Sequence, residues 1–315
     1  MNKKLFWCSP KVRVQCVFLI LLIVAPFFFL GGPGYRGARS FVALWNLGHV
    51  FFFTLASWLL YLLVRDRRPQ ASLLAGKMYV FLGVLVLGIA IEGLQMGFDG
   101  RTPDLGDIIR NQLGCLITFA FFCSEKKKRG FFLYQLAVVM MVGIALYPLS
   151  RAVIDELRAL RQFPFLSDFE TPFEIDRWKD GEMLSVQEGI ARHGHHSLKV
   201  QLTTETYSGV SLCYFPGNWQ GFEKLFISVY SPDDEKLDLV CRIHDSKHNN
   251  EYIDRYNKRF ILEKGWNDLV IPLSDIQKAP AGRLLNMEKI ENLRLFVVKQ
   301  EKERVVYIDN VYLGR

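Results

Sequence analysis

A run of polar residues interrupts the apolar first half of the chain. An ionisable side chain at the centre of a membrane helix costs about 2.5–3.5 kcal/mol on insertion scales. Several such groups around one short loop therefore indicate a site that uses them. The run ends one apolar segment, fills the next loop and begins the following segment, and it consists of Glu92, Gln95, Arg101, Asp104, Asp107 and Asn111.

Two further polar residues, Asn46 and His49, lie three positions apart on an earlier apolar segment. Residues three or four apart share a helical face, so three helices present polar pairs near one membrane depth. Histidine and carboxylates can transfer protons, and Arg101 can hold a carboxylate or phosphate with two hydrogen bonds. The alternative is structural, with Asp107 capping its helix and Arg101 as its ion-pair partner.

Sequence motifs of known membrane hydrolases are missing from the chain. It contains neither an HExxH zinc helix nor a GxSxG nucleophile elbow, and it lacks the paired arginine–histidine motifs of lipid phosphatases. We therefore favour a non-catalytic role. Two alternative hypotheses stay open, an enzyme acting on a lipid-linked precursor at the outer leaflet and a structural anchor that docks a protein partner.

Five apolar segments approach the length of about 20 residues that a helix needs to cross the hydrocarbon core. No small-x-small cleavage pattern follows the first segment, so we expect a retained anchor rather than a signal peptide. The segments are Val12–Leu30, Val42–Val64, Met78–Gln95, Ile108–Cys123 and Phe131–Leu149.

Basic residues concentrate at the N-terminus and in the second and fourth loops, which predicts that these parts face the cytoplasm. An odd number of spans then places the C-terminal half outside, in the periplasm or beyond. The polar run lies near the outer ends of its helices in this arrangement.

Charge and hydropathy both change near residue 164, which marks a domain boundary. The 315 residues carry a net charge of +7; residues 1–164 hold 19 Lys/Arg and 8 Asp/Glu, and residues 165–315 hold 20 and 24. The basic excess belongs to membrane-flanking loops and gives no reason to expect nucleic acid. We predict a transmembrane domain at 1–149, an amphipathic linker at 150–164 and a β-sandwich domain at 165–315.

The linker carries an apolar stripe of Val153, Leu157 and Leu160. This helical spacing predicts either an extension of the fifth helix or a segment on the membrane surface.

From Phe165 onward the hydrophobic period changes to two. Alternating runs such as Leu198–Leu202, Leu225–Val229 and Leu237–Ile243 are separated by turn residues. Many short alternating strands without long helices predict an antiparallel sandwich. The fold class is thus a membrane α-helical bundle joined to an all-β sandwich. Cys213 and Cys241 lie on separate predicted strands and form either a disulfide or a reduced pair.

The ordered set Glu92-x-x-Gln95, Arg101, Asp104-x-x-Asp107-x-x-x-Asn111-x-x-Gly114 resembles the signature of the VanZ-like family of bacterial membrane proteins, and His49 fits a polar position of that family. The resemblance covers residues 12–123. It implies a cell-envelope context and a link to teicoplanin-type glycopeptide resistance. The large additional C-terminal domain departs from the smaller members of the family.

The C-terminal half resembles carbohydrate-binding modules of the galactose-binding-like jelly-roll superfamily. The landmarks are Asp168-Phe169-Glu170, Gly194-x-x-Ser197, Pro216-x-x-Trp219, Gly265-Trp266-Asn267 and Tyr307-Ile308-Asp309-Asn310. Members of that superfamily often hold a structural calcium ion, and the resemblance implies Glu170 and Asp309 as its ligands. The alternative is that each acid caps a turn.

A sugar site needs aromatic platforms and convergent hydrogen-bonding groups. The alternative to such a site is a solvated sheet face. The candidates that the strands offer on their non-core faces are Tyr230, Arg242, His244, Asp245, Tyr252, Arg255 and Tyr256.

These observations together predict a multi-pass protein of the bacterial cytoplasmic membrane with an exported glycan-binding domain. The expected partners are membrane lipid and a glycan or lipid-linked envelope precursor.

Overall fold

The computed structural model describes residues 10–30, 32, 37–97, 104–123, 129–181 and 183–315. Contacts divide the chain into two compact units, a helical unit of residues 1–150 and a β unit of residues 151–315. The helices are α1 (Pro10–Val24), α2 (Arg39–Arg67), α3 (Leu73–Gln95), α4 (Leu105–Phe121), α5 (Arg129–Gln162) and α6 (Leu273–Lys278).

Four helices of the described chain are long and apolar enough to cross a membrane. They are α1 with the turn after it, α2, α3 and α5. Helix α4 has 17 residues, which gives it a length of about 25 Å at 1.5 Å per residue, and it contains Asp107 and Arg110. Four of the five predicted spans are therefore confirmed by length and composition, whereas α4 does not meet the same measure.

Helices α2 and α4 approach each other closely at Gly114. A Cβ atom on Gly114 would lie 2.7 Å from the Val50 carbonyl oxygen and 2.8 Å from the Thr54 backbone nitrogen. One turn further along α4, Thr118 Oγ1 donates to the Thr54 carbonyl at 2.7 Å. Small residues that allow such contact are typical of helix pairs in membranes, and this contact aligns the polar residues of the two helices.

The β unit contains two antiparallel sheets. The first has the strand order β3-β4-β11-β6-β9 with β1 paired to β11, and the second has the order β2-β5-β10-β7-β8. The strands are β1 (Phe165–Ser167), β2 (Trp178–Lys179), β3 (Leu184–Glu188), β4 (His196–Leu202), β5 (Tyr207–Leu212), β6 (Lys224–Ser231), β7 (Leu237–Asp245), β8 (Tyr256–Leu262), β9 (Gly265–Pro272), β10 (Ile290–Val298) and β11 (Arg304–Gly314).

The predicted alternation builds the core of this sandwich. Successive side chains of a strand point to opposite faces, and the apolar members of the runs on β4, β6 and β7 are all buried in one cluster that both sheets share. Leu293, Leu295 and Val297 of β10 enter the same cluster from the second sheet. The antiparallel β-sandwich predicted from the sequence is thus confirmed.

The last turns of α5 belong to the β unit through a buried ion pair. Arg177 Nε lies 3.1 and 3.0 Å from the two carboxylate oxygens of Asp155 on α5, and both side chains are fully buried. The predicted extension of the fifth helix is therefore present. Its apolar stripe is exposed, however, since Leu157 is 51% and Leu160 66% accessible to solvent. The face of α5 around Asp155 is the one that packs inward.

Candidate functional site

His49 lies at the centre of the polar cluster of the helical unit. Its Nδ1 is 3.0 Å from Asn111 Oδ1, and its Nε2 is 3.3 Å from Asp107 Oδ2. Asp107 and Asn111 are four residues apart on α4 and so share the face that meets α2. The structure thus brings three of the predicted polar residues into contact.

Arg110 is the cation of this cluster. It pairs with Asp107, three residues earlier on α4, and its Nη1 lies 3.2 Å from Asp104 Oδ2. The sequence analysis gave this role to Arg101, which lies outside the described residues. The i, i+3 spacing of Asp107 and Arg110 is the signal that identifies Arg110 as the alternative partner.

Asp104 begins α4 and connects it to α3. Its carboxylate accepts a hydrogen bond from the Gly106 N–H at 2.7 Å, as an N-cap residue does. Its own N–H donates to Glu92 Oε2 at 3.0 Å. The second oxygen, Glu92 Oε1, is buried and has no hydrogen-bond partner among the described residues.

Gln95 and His49 line a small cavity whose other walls are mainly aromatic. The cavity has a volume of about 260 Å³, and Phe28 and Trp45 contribute to its walls. The Gln95 amide donates to the Phe28 carbonyl at 2.7 Å. Asn46 is half-buried on α2, and no hydrogen bond of its side chain to this cluster occurs within the described ranges.

The β unit has a polar sheet face on the outer side of the second sheet. Arg294 of β10 is in register with Ser211 of β5 and with Arg242 of β7, and Arg242 is in register with Asn257 of β8. The next row pairs Asn292 with His244. We call the outward surface formed by these rows the polar face.

Aromatic rings lie along the same surface. Phe296 follows Arg294 by two residues on β10, and its ring centroid lies 6.0 Å from that of Tyr207 at the start of β5. Tyr207 is 59% exposed, and Tyr252, in the segment before β8, is 67% exposed. The polar face therefore combines covered hydrogen-bonding groups with two open tyrosine rings.

The structure does not bring all of the predicted glycan residues to one surface. Arg242 and His244 lie on the polar face, and Tyr252 and Arg255 lie just before β8. Tyr256 is 5% exposed and belongs to the core. Tyr230 lies on the first sheet, where its ring contacts those of Trp266 and Tyr307.

Asp245 belongs to a buried ion-pair network at the end of β7. Arg283 Nη1 lies 2.7 Å from Asp245 Oδ2, and Arg283 Nη2 lies 2.9 Å from Asp254 Oδ2. Burial acts to raise the pKa of Asp245, but the hydrogen bonds and charge of Arg283, together with the backbone N–H groups of Asn286 and Lys247, outweigh it and lower that pKa. The Arg283 hydrogen bond is also the main cause that lowers the pKa of Asp254. The hydrogen-bonding capacity of the Asp245 carboxylate is thus taken up by groups of the protein itself.

The polar face includes several residues that were not among the sequence-based candidates, and four of them are central to the site. They are Tyr207, Asn292, Arg294 and Phe296. Three of them alternate along β10 with Leu293 and Leu295, whose core positions are evident from the sequence. The alternation alone is the signal that directs them outward.

Neither cysteine of the β unit takes part in a disulfide. Cys241 is fully buried in the core, and this burial raises the pKa of its thiol to about 12. Cys213 Sγ lies 3.4 Å from Asn292 Nδ2 beside the polar face. The disulfide alternative therefore does not describe this structure.

Glu170 and Asp309 hold one loop before β4. Glu170 Oε1 accepts the backbone N–H groups of His195 and His196 at 2.6 and 2.8 Å, and Asp309 Oδ2 accepts those of Arg192 and His193. Burial raises the pKa of Asp309 although its backbone donors act against this. For Glu170 burial acts in the same direction, but its donors outweigh it and lower the pKa.

These contacts are those of turn caps. Calcium requires six to eight oxygen ligands, and the described residues contain no group of three or more His, Cys, Asp or Glu side chains able to hold a metal ion. The carboxylates of Glu170 and Asp309 are engaged by backbone donors in this structure, and the calcium ion stays an untested prediction.

No protein-family model matches the chain, and no curated protein matches it. The resemblance to VanZ-like proteins is therefore not supported by a match to a family model or to a curated protein.

Solved structures with a similar C-terminal region include carbohydrate-binding modules and agarases. The family 11 module from Clostridium thermocellum in complex with a β-1,3-1,4-mixed-linked tetrasaccharide is 17% identical over 48% of this chain and 94% of its own, with a TM-score of 0.37. The CBM22-2 xylan-binding domain of Paenibacillus barcinonensis Xyn10C is 22% identical over 48% of this chain and 98% of its own, with a TM-score of 0.33.

A third structure, the CBM28 module specific for non-crystalline cellulose, is 12% identical over 49% of this chain and 93% of its own, with a TM-score of 0.35. At these values the likeness does not decide what this chain binds.

Proposed function

We propose that this chain is a membrane-anchored glycan-binding protein of the bacterial cell envelope, and that the polar face of its β unit is the glycan site. The observation that carries the proposal is the combination on one sheet face of registered hydrogen-bonding side chains with the exposed rings of Tyr207 and Tyr252. Sugars bind where apolar ring faces and hydrogen bonds meet. The jelly-roll topology and the galactose-binding-like relationship are part of this proposal.

The test uses the full chain in lipid nanodiscs, since sugar-headed detergents would compete for the site. The protein is applied to a glycan array, and its hits are quantified by calorimetry. We expect Tyr252→Ala to weaken binding by about tenfold, because the loss of a stacking ring removes about 1–1.5 kcal/mol.

The variant Tyr230→Ala distinguishes the two sheets. Tyr230 lies in an aromatic row on the first sheet, away from the polar face. Loss of binding in Tyr230→Ala with full binding in Tyr252→Ala would move the site to the first sheet. An array with no hits would contradict the glycan function itself.

Export of the β unit is the second part of the proposal. Four apolar helices support insertion in the cytoplasmic membrane, and the alternation of basic loops supports a cytoplasmic N-terminus. Export of the β unit then requires α4 to cross as a fifth span, because four crossings would return the chain to the cytoplasmic side. An alkaline phosphatase fused to the C-terminus should be active in intact cells. Activity of a cytosolic reporter at the same position, without phosphatase activity, would contradict the assignment.

For the helical unit we propose a binding site for the head group of a lipid-linked envelope precursor. Its support is the buried Glu92 Oε1, which lacks a partner among the described residues, because an unsatisfied charged oxygen in lipid is expensive. Glu92→Gln keeps the shape and the acceptor for the Asp104 N–H. It should abolish complementation of a deletion strain at unchanged protein level, and teicoplanin susceptibility is one phenotype to score. Full complementation by Glu92→Gln would contradict this site.

A further inference from the structure

Two arginines of the polar face have no acidic partner. Arg294 lies on β10, and Arg255 directly precedes β8; both are half-buried. Neither forms an ion pair with any described residue, and the Nε atom of each is buried without a hydrogen-bond partner. Covering a guanidinium group without satisfying its donors is unfavourable.

The two cations also act on each other. Burial lowers the pKa of Arg255, and the charge of Arg294 lowers it as well, while Tyr252 and Tyr207 act in the opposite direction. Like charges in a covered site repel each other more strongly than in water. The fold therefore holds positive charge on the polar face without neutralising it internally.

Aromatic rings lie beside both guanidinium groups. Arg255 Cζ is 5.2 Å from the centroid of Tyr252, and Arg294 Cζ is 5.5 Å from that of Phe296. Rings at this distance stabilise a cation and limit the side-chain freedom that a bound ligand would otherwise have to remove. Tyr207, in contact with Phe296, leaves most of its ring open.

We propose, resting on the glycan function above, that the polar face is specific for acidic saccharides. The sugar ring lies against Tyr207 and Tyr252, and the carboxylate of a uronic acid unit accepts hydrogen bonds from Arg294 and Arg255. A planar carboxylate matches the donor geometry of guanidinium, which binds it with two parallel hydrogen bonds. A neutral glycan would leave both cations covered and unpaired.

The experiment compares matched glycans on the full chain in phosphatidylcholine nanodiscs. The probes are uronic acid oligomers of several backbones and the same oligomers with their carboxylates reduced to alcohols. We expect the acidic member of at least one pair to bind at least about tenfold more tightly, with affinity that falls as the salt concentration rises.

Three variants locate the effect. Arg294→Gln and Arg255→Gln should each lose at least about tenfold in affinity for the acidic oligomer. Lys224→Gln makes the same change of net charge at an exposed position on β6, in the first sheet, and should stay within about threefold of wild type. The melting temperature of Arg294→Gln should not fall, because the variant removes an unpaired charge rather than an ion pair.

The outcomes separate this inference from the function on which it rests. Equal binding of acidic and reduced oligomers would overturn acidic specificity and leave glycan binding intact. A drop in melting temperature for Arg294→Gln with unchanged affinity would make Arg294 a structural residue and also overturn it. Failure of every acidic and neutral glycan to bind would contradict the glycan function itself.

Discussion

Arg177 and Arg294 lie in the same sandwich and have opposite surroundings. Arg177 is fully buried, with the Asp155 carboxylate against its Nε and Nη2 and the Leu166 carbonyl 2.8 Å from its Nη1. Arg294, like Arg255, is half-covered and faces aromatic rings without a carboxylate. Where an arginine completes the fold, as Arg177 does, the chain supplies the acid; the described residues supply none for Arg294 and Arg255, and we propose that a ligand does.

The polar cluster of the helical unit resembles the surroundings of Arg177 more than those of Arg294, because its charged groups have partners within the chain. Arg110 has Asp104 and Asp107, and His49 has Asp107 and Asn111. Most of these groups satisfy each other, as the structural alternative in the sequence analysis expects. Glu92 Oε1 and Asn111 Nδ2 depart from this pattern, because each is buried without a hydrogen-bond partner among the described residues.

The largest effect should come from breaking the Arg177 ion pair. Asp155→Ala leaves a buried guanidinium without its counter-charge, and we expect a loss of about 3–5 kcal/mol in the free energy of unfolding. Chemical denaturation followed by tryptophan fluorescence measures it. The double variant Asp155→Leu with Arg177→Met should recover most of the loss. A single variant within about 1 kcal/mol of wild type would contradict the structural role of this arginine.

Removal of Arg283 should change how stability depends on pH. Arg283 lowers the pKa of Asp245 and of Asp254, so its contribution is complete above the unfolded value of about 3.9 and is lost as the pH falls toward the lower folded values. Arg283→Met should cost about 1.5–3 kcal/mol at pH 7 and flatten the decline in acid. Urea unfolding between pH 3 and pH 7 measures both effects, with Arg259→Met as the control. An unchanged acid limb would contradict this prediction.

The helix contact at Gly114 should tolerate no side chain. Gly114→Ala places a Cβ against the backbone of α2, and we expect a loss of about 1–3 kcal/mol through forced separation of the helices. Gly93→Ala on α3 is the matched control, because a Cβ there meets nothing within 4 Å. Thermal unfolding in nanodiscs compares the two. Equal melting temperatures would show that α2 and α4 do not meet closely at this point.

Calcium should have the smallest effect. The carboxylates of Glu170 and Asp309 already accept backbone N–H groups, so 1 to 5 mM calcium, a range typical of weak extracellular sites on the order of 10⁻³ M, should leave the melting temperature unchanged. Magnesium serves as the control for ionic strength. A rise with calcium alone, lost in Asp309→Asn, would establish the metal site and contradict the turn-cap interpretation.

The sequence predicts the apolar elements of each unit well, because the hydrophobic period of a segment reflects which of its side chains are buried. The alternating runs of β4, β6 and β7 become core strands, and the apolar segments become helices. Two local features were less visible. Asp107 pairs with Arg110 in the structure, whereas Arg101, the partner predicted from the sequence, lies outside the described residues. The polar face was only partly predicted, because β5 and β10 contribute Tyr207 and Arg294 from segments distant in the chain.

The pairing of the strands explains why the predicted glycan residues do not share one surface. Tyr230 and Arg242 look equivalent along the sequence, but they lie on different sheets, because the strand order is set by long-range pairing. Tyr256 alternates like a surface residue and is directed inward where β8 pairs with β7.

The length of α4 determines which compartment receives the β unit. With α4 as a full crossing, the chain passes the bilayer five times and its two ends lie on opposite sides. With α4 as a re-entrant segment that leaves on the side it entered, the chain crosses four times and both ends share the cytoplasm, where envelope polysaccharide is absent. Helix α4 is short and is bordered by Asp104 and by the basic residues that follow it. Whether it crosses the bilayer therefore decides on which side of the membrane the β-sandwich lies.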